Sequence, residues 1–518
     1  MRKNVSDNIN DQKKGLKKMK KTISILLATL MILSLLTGCG KDGGTSESAE
    51  KSEITAALAS IPNNLDAAAT MGTSLLTMTP YVYDYLLRLD EDCNLTPGLA
   101  SSWQKVDDVT WTFEVDKGHI FSNGEEVEME DVVYSIERLR DVASMANYMK
   151  NIESVSYEGQ TLTVKLVEPN NLTITIVLAV YCPIQNKSYC EEHGEEAILN
   201  AECGSGPYVV TEYIPGDQVV MELRDDYPFE KPQINRLIFK QYLEPSARYI
   251  ALETGEAQFA TELAYSDFQL AEENDKITTN SLTAMHLSFL AMNTTKAPFD
   301  DINVRMALAY AMDRDAYCLV TEGVTPLYTM ISGGFPECSI KPDNAVEYDL
   351  EKAKELLAEA GYDESNPLTF DIQIYATSPG IEAYQATLKS IGVNASIKMY
   401  EKGTLVSMIR NGEGQMSLLS ISASPTPLFE AGAYVKDDMR NFSFFDDETC
   451  TELVMKARRA DTAEEMNDYL NQANAECTKY MPYIPICTTT LYSAWDSDIE
   501  GITVRGDLSS SFMNAYYK

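Results

Sequence analysis

The chain has 518 residues, is 44% hydrophobic and 23% charged, and carries a formal net charge of −36. That composition excludes a disordered or collagen-like chain, and so acidic a surface repels phosphate backbones, which excludes a nucleic-acid binder. The length predicts roughly two to four domains, or one large discontinuous one.

The N-terminus reads as an address. Residues 1–38 hold eight Lys or Arg against two acids, so the rest of the chain is more acidic than the total. Lys17, Lys18, Lys20 and Lys21 precede an apolar run of 14 residues, Ile23 to Leu36. A membrane span needs roughly 20, so a basic cluster before a short run predicts a secretory leader. Translation from Met19 or from Met1 would both supply it. Leu36-Thr37-Gly38-Cys39 closes the run and resembles the bacterial lipobox. That resemblance implies Cys39 as the lipidated N-terminus, anchoring the protein to the extracytoplasmic face of the cell membrane. Residues 40–51 are small and polar, a tether for a folded body.

The body alternates short strands and amphipathic helices. Trp111, Phe113 and Val115 alternate with polar residues, predicting a half-buried strand. Leu162, Val164 and Leu166 repeat the pattern after a Glu158-Gly159 turn. Val132, Val133, Ile136 and Leu139 predict a helix, as do Val304, Ala307, Leu308, Ala311 and Met312. A third helix carries Ala353, Leu356, Leu357 and Ala360, with Asp349 placed to cap its start and Gly361 to end it. Mixed elements in this order predict α/β or α+β domains interleaved by the chain. The nine cysteines after Cys39 are irregularly spaced and contain no CxxC. A bridge from Cys182 to Cys190 or Cys203 and a fully reduced set both stand open.

Catalytic signatures are missing. The three histidines, His119, His193 and His286, are scattered, with no HExxH, no GxSxG and no phosphate-binding GxxxxGK[ST]. No metal and no cofactor is expected. An exported hydrolase is disfavoured on the same ground.

Residues 96–139 carry the most telling pattern: Pro97, Leu99-Ala100, Ser102-Trp103, Phe113, Lys117-Gly118, Phe121, Gly124, Asp131-Val132, Ser135 and Arg138. With Pro62 to Asp66, Gly204-Ser205-Gly206-Pro207-Tyr208, Leu223 to Tyr227, Ser246-Ala247-Arg248, Val304-Arg305 to Asp313-Arg314, Tyr348 to Tyr362 and Met481 to Ile486, it resembles the peptide/nickel-type (family 5) extracellular solute-binding proteins of ABC importers. The matches span nearly all of residues 54–518. On the residues alone, Trp103 and Trp111 read as core anchors, and Asp313 and Arg314 as ion-pair partners rather than ligand contacts.

The resemblance implies a two-lobed periplasmic-binding-protein-like α/β fold of type II with an extra subdomain in the N-terminal lobe. Lobe 1 would take 52–85, 200–285 and 490–518, the extra subdomain 86–199, and lobe 2 286–489. It implies a monomeric receptor without enzymatic activity that captures peptide, closes, and delivers it to permease subunits, with ATPase subunits engaged indirectly. Met71, Thr73 and Ser74 would border the cleft from lobe 1. From lobe 2, Ser420, Ile421, Ser422, Ala423 and Ser424 would face it, and Arg410 stands where some relatives bind a carboxylate; a solvated helix end is its plainer reading. Peptide binders of the family often hold the ligand ammonium with an Asp where this chain has Ala423, and Glu430 is the nearest acid able to substitute. A non-peptide ligand (oligosaccharide, opine-like compound or metal chelate) and a signalling role without transport therefore stay open.

Overall fold

In the computed structural model, residues 52–70, 72–91, 93–422 and 425–518 are described. The leader, Cys39, the tether, Met71, Ala423 and Ser424 lie outside them. Among the described residues, no helix is long and apolar enough to cross a membrane.

Two long strands, Ile277–Met292 and Tyr483–Asp496, organise the molecule. They pair antiparallel from Ile277 opposite Asp496 to Ala291 opposite Tyr483. On one side the sheet continues through Phe259–Ala260, Glu53–Leu58, Arg236–Gln241, Gln218–Leu223 and Tyr208–Ile214. On the other it continues through Met416–Ile421, Thr369–Ile374 and Asn394–Met399. The result is a two-lobed α/β body whose halves share one sheet. A separate four-stranded antiparallel sheet is built from Ala100–Lys105, Thr110–Val115, Thr161–Leu166 and Ile152–Glu158.

The periodic segments fold as their patterns dictate. Trp111, Phe113 and Val115 are buried on one face of their strand, and Leu162, Val164 and Leu166 on one face of its neighbour. Trp103 differs from the expectation: it is half-buried at the edge of the apolar cluster. The helix Met129–Arg138 buries Val132 and Ile136, and its start is closed by a capping box between Glu128 and Asp131. Asp349 accepts from the Lys352 amide at 2.9 Å and so caps the helix Leu350–Glu359. Gly361 follows that helix at φ +84, a left-handed value that favours glycine. Cys182, Cys190 and Cys203 are buried thiols, and none is joined to another.

Several motif residues stitch elements together. Arg138 pairs with the buried Asp66, tying the helix Met129–Arg138 to the segment that follows the strand Glu53–Leu58. Arg224 donates to the carbonyls of Ile120, Phe121, Gly204 and Gly206. Arg314 corrects the sequence expectation. It is buried and makes no ion pair among the described residues; it donates to the carbonyls of Leu327, Pro485 and Val346. Asp313 caps the helix Arg314–Thr321 by accepting from the Ala316 amide. Arg305 likewise serves the carbonyls of Tyr480, Phe299 and Asp300.

Gly204 and Gly206 lie against the end of the helix Thr73–Val82. A Cβ on Gly204 would sit 1.9 Å from the Val82 carbonyl oxygen, and one on Gly206 2.4 Å from that of Tyr81. Both obstacles are backbone, which cannot rotate aside. Gly206→Ala should therefore destabilise the protein by about 3 kcal/mol; urea denaturation of the variant beside the wild type checks this.

Candidate functional site

The site begins where the crossing strands break register. Ala284, Met285 and His286 stand against Thr489 alone, between the pairs Thr283–Thr490 and Leu287–Thr488. Such a bulge twists the ladder and lets a strand bend. Its exposed polar groups are satisfied locally. The Thr488 hydroxyl reaches the carbonyls of Ala284 at 3.2 Å and His286 at 2.9 Å. The Gly506 carbonyl accepts from the Met285 amide at 2.6 Å. His286 Nδ1 lies 2.7 Å from the Thr489 hydroxyl, and burial, reinforced by Lys402, lowers its pKa to about 4, so the ring is neutral at pH 7.

Two loops press on this bulge. A Cβ on Gly334 would come within 2.8 Å of the Met285 amide nitrogen, so only glycine permits the approach. Gly506 is similarly close to the Met285 side chain. These loops wall a cavity of about 620 Å³ between the lobes. Leu282, Thr283, Glu91, Asn94, Val504 and Gly506 form one side. Phe335, Glu337, Thr426, Pro427, Met466 and Asn467 form the other. The charged residues lining it are Glu91 and Glu337, and no cation lines it among the described residues. Its volume falls in the range of small-ligand pockets.

A second cavity of about 530 Å³ is also lined by Glu91. Leu76, Thr77 and Pro80 of the helix Thr73–Val82 line it, with Tyr81, Tyr85 and the C-terminal stretch around Ser509–Ser511. Arg505 and Asp507 pair in its wall at 2.6 Å.

The residues singled out by sequence fall around these cavities unevenly. Thr73 and Ser74 are half-buried in the first turn of the helix whose later turns line the second cavity. Ser420 is half-buried, its hydroxyl 3.0 Å from that of Tyr375. Ile421 pairs with Leu287 and points into the apolar core, so only its backbone faces elsewhere. Ser422 is exposed just beyond the strand, and the chain returns at Pro425 to Pro427 in the wall of the interlobe cavity. Arg410 sits exposed at the last turn of the helix Lys402–Arg410 and lines neither cavity. Glu91, Asn94, Phe335 and Gly506 carry no motif that marks them in the sequence. The Gly333-Gly334 doublet was the one local sign of a close approach there.

Glu430 is closed to a ligand. It is fully buried, and its carboxyl accepts from the Ser332 amide at 2.7 Å and lies 2.9 Å from the Ser332 hydroxyl. Burial pushes its pKa up to about 8 against the lowering effect of those bonds. It therefore cannot replace the missing Asp. Because its folded pKa exceeds its unfolded value near 4.3, the folded state holds the proton longer. Stability falls as pH rises from about 4.3 to 8. Glu430→Gln should flatten that part of the stability profile; thermal unfolding at pH 5 and pH 8 reads the difference.

A cavity beside a bulged pair of long strands that joins two halves of one sheet is the architecture of a solute receptor. Residues 94–435 match the model of the bacterial extracellular solute-binding proteins, family 5 (middle). The chain belongs to that family, whose members are extracytoplasmic substrate receptors rather than enzymes. It is 26% identical over 489 residues to the glutathione-binding protein GsiB of Escherichia coli (strain K12), covering 87% of this chain and 94% of that protein. Its fold matches the dipeptide-binding protein of a Pseudoalteromonas species in complex with Met-Leu, with a TM-score of 0.77 at 19% identity. That match covers 90% of this chain and all of the other. HbpA2 of Haemophilus parasuis matches with a TM-score of 0.78 at 22% identity over 90% of this chain and 100% of that one.

Proposed function

We propose that this protein is the lipid-anchored receptor of an ABC importer, holding peptides between its lobes and passing them to the permease. The observation that carries this reading is the interlobe cavity, walled from both sides of a bulged strand pair and lined by carboxylates without a cation among the described residues. The match to a glutathione-binding protein over most of both chains supports a peptide as the cargo. In this reading Glu91 and Glu337 draw the ligand ammonium from opposite walls, in place of the Asp that Ala423 displaces. Thr73, Ser74, Ser420 and Ser422 offer hydroxyls and backbone at the rim. The lobes follow the division 52–85, 200–285 and 490–518 against 286–489, with 86–199 as the extra subdomain. Cys39 carries the anchor, each buried methylene contributing about 0.8 kcal/mol.

Closure follows from differential binding. A ligand touching both walls binds the closed form more tightly than the open one and shifts the population toward it. The permease then meets a shape that signals occupancy.

Native mass spectrometry of protein purified without denaturation tests the cargo. Masses that fragment into amino acids are expected; a single sugar-like or chelate mass would sink the peptide reading while leaving the receptor role. Phe335, half-buried in the cavity wall, supplies its aromatic surface. Phe335→Ala should weaken binding of the recovered peptide about tenfold, measured by isothermal titration.

A further inference from the structure

The chain passes between its lobes only at the crossing strands. For the body to open at the bulge, segments before Ile277 would have to part from segments between Met292 and Tyr483, with which they share one buried apolar cluster. Several polar contacts join these two sets away from the two cavities described above, beside a smaller one of about 270 Å³ lined by Asn170, Leu172, Arg440 and Arg458. The Asn171 amide donates to the Arg458 carbonyl at 2.7 Å. The Asn171 side-chain Nδ2 donates to the Ala460 carbonyl at 2.7 Å. Lys105 Nζ donates to the Arg459 carbonyl at 3.2 Å and pairs with Asp461. Asn171, Lys105, Arg459, Ala460 and Asp461 line neither of the two cavities.

The local structure does not need these side chains. Asn170, not Asn171, caps the short helix Asn171–Ile174 by accepting from the Leu172 amide. Lys105 ends the strand Ala100–Lys105 and reaches out of its own sheet. The receiving turn, residues 458–461, joins the helices Glu448–Ala457 and Ala463–Thr478. It is held firmly, because Arg458 is bound to Asp438 at 2.8 Å, and Asp438 also holds Arg440 at 2.9 Å. Arg440 in turn donates to the Tyr148 hydroxyl, a further contact across the same divide.

We propose that Asn171 and Lys105 form a clasp between the four-stranded sheet subdomain and lobe 2, holding a closed population and setting ligand affinity without touching ligand. They are positioning residues, since they act only on the opening equilibrium. Each contact is made in the closed form and exchanged for water in the open one, so its net worth is a modest factor.

Small-angle X-ray scattering of the purified, ligand-free protein tests the clasp. The double variant Asn171→Ala with Lys105→Ala should show a larger radius of gyration than wild type. Lys105→Arg with Asn171 intact should restore the wild-type curve, which a general packing defect would not allow. Coincident curves for the wild type and the double variant would overturn the proposal. The affinity arm rests on the peptide reading above: for a peptide recovered by mass spectrometry, Kd should rise about fivefold to tenfold in the double variant. An unchanged Kd would refute the role in affinity. The scattering arm needs no ligand, so a failure of the peptide reading and a failure of the clasp are read separately.

Discussion

The antiparallel pairing of Ile277–Met292 with Tyr483–Asp496 is the constraint on which the rest depends. The pair is tied into both halves of the sheet, through Phe259–Ala260 on one side and Met416–Ile421 on the other. A continuous ladder of that length would be stiff. The three-for-one mismatch at Ala284 to His286 interrupts it, and a second register shift follows between Ser288 and Phe289. The first of these breaks lies where the loops of Gly334 and Gly506 form the cavity wall.

Buried arginines hold loops to this frame. Arg224, Arg248, Arg305 and Arg314 are all at most 6% exposed. Among the described residues, Arg305 and Arg314 have no carboxylate within ion-pair distance; backbone carbonyls satisfy them instead. A guanidinium offers five N–H donors in a fixed fork, so one side chain can close several loop carbonyls at once. Arg314 joins three distant stretches in this way, at Leu327, Val346 and Pro485. Removing such a side chain would leave buried carbonyls unpaired, which costs more than the bonds themselves contribute. This explains why arginines in family motifs need no contact with ligand.

Local patterns were legible in the sequence because their causes are local. The alternation around Phe113 and Val164, the cap at Asp349 and the left-handed Gly361 each follow from neighbours within one element. The roles of Arg314 and Glu430 were not legible, since both depend on residues brought near only by the fold. Arg314 looked like an ion-pair partner of a polar helix flank, yet it is buried beneath loop carbonyls. Glu430 looked available because its own segment borders the cavity, yet Ser332, nearly a hundred residues away, closes it. The cavity was half legible for the same reason. The 420–427 segment announced itself by motif, whereas Glu91, Asn94 and Phe335 carry no pattern that distinguishes a wall from a turn.

Ligand and clasp act on one equilibrium, so their effects multiply, but they do different things. The clasp makes the same contacts whatever occupies the cavity, so it raises affinity for every ligand alike. Discrimination stays with the walls, where a ligand either fills the space by Phe335 and meets Glu91 and Glu337 or does not. The clasp is also bounded from above. If it outweighed the intrinsic preference for opening, an empty receptor would close and present the permease with a false signal. Its composition respects that bound. Its ion pair places Lys105 on Asp461, whose side chain is 76% exposed, and exposed pairs contribute about 0–1 kcal/mol. The remaining bonds are to neutral backbone carbonyls, worth about 1 kcal/mol each. Such contacts bias closure without deciding it, which leaves the deciding share to the ligand.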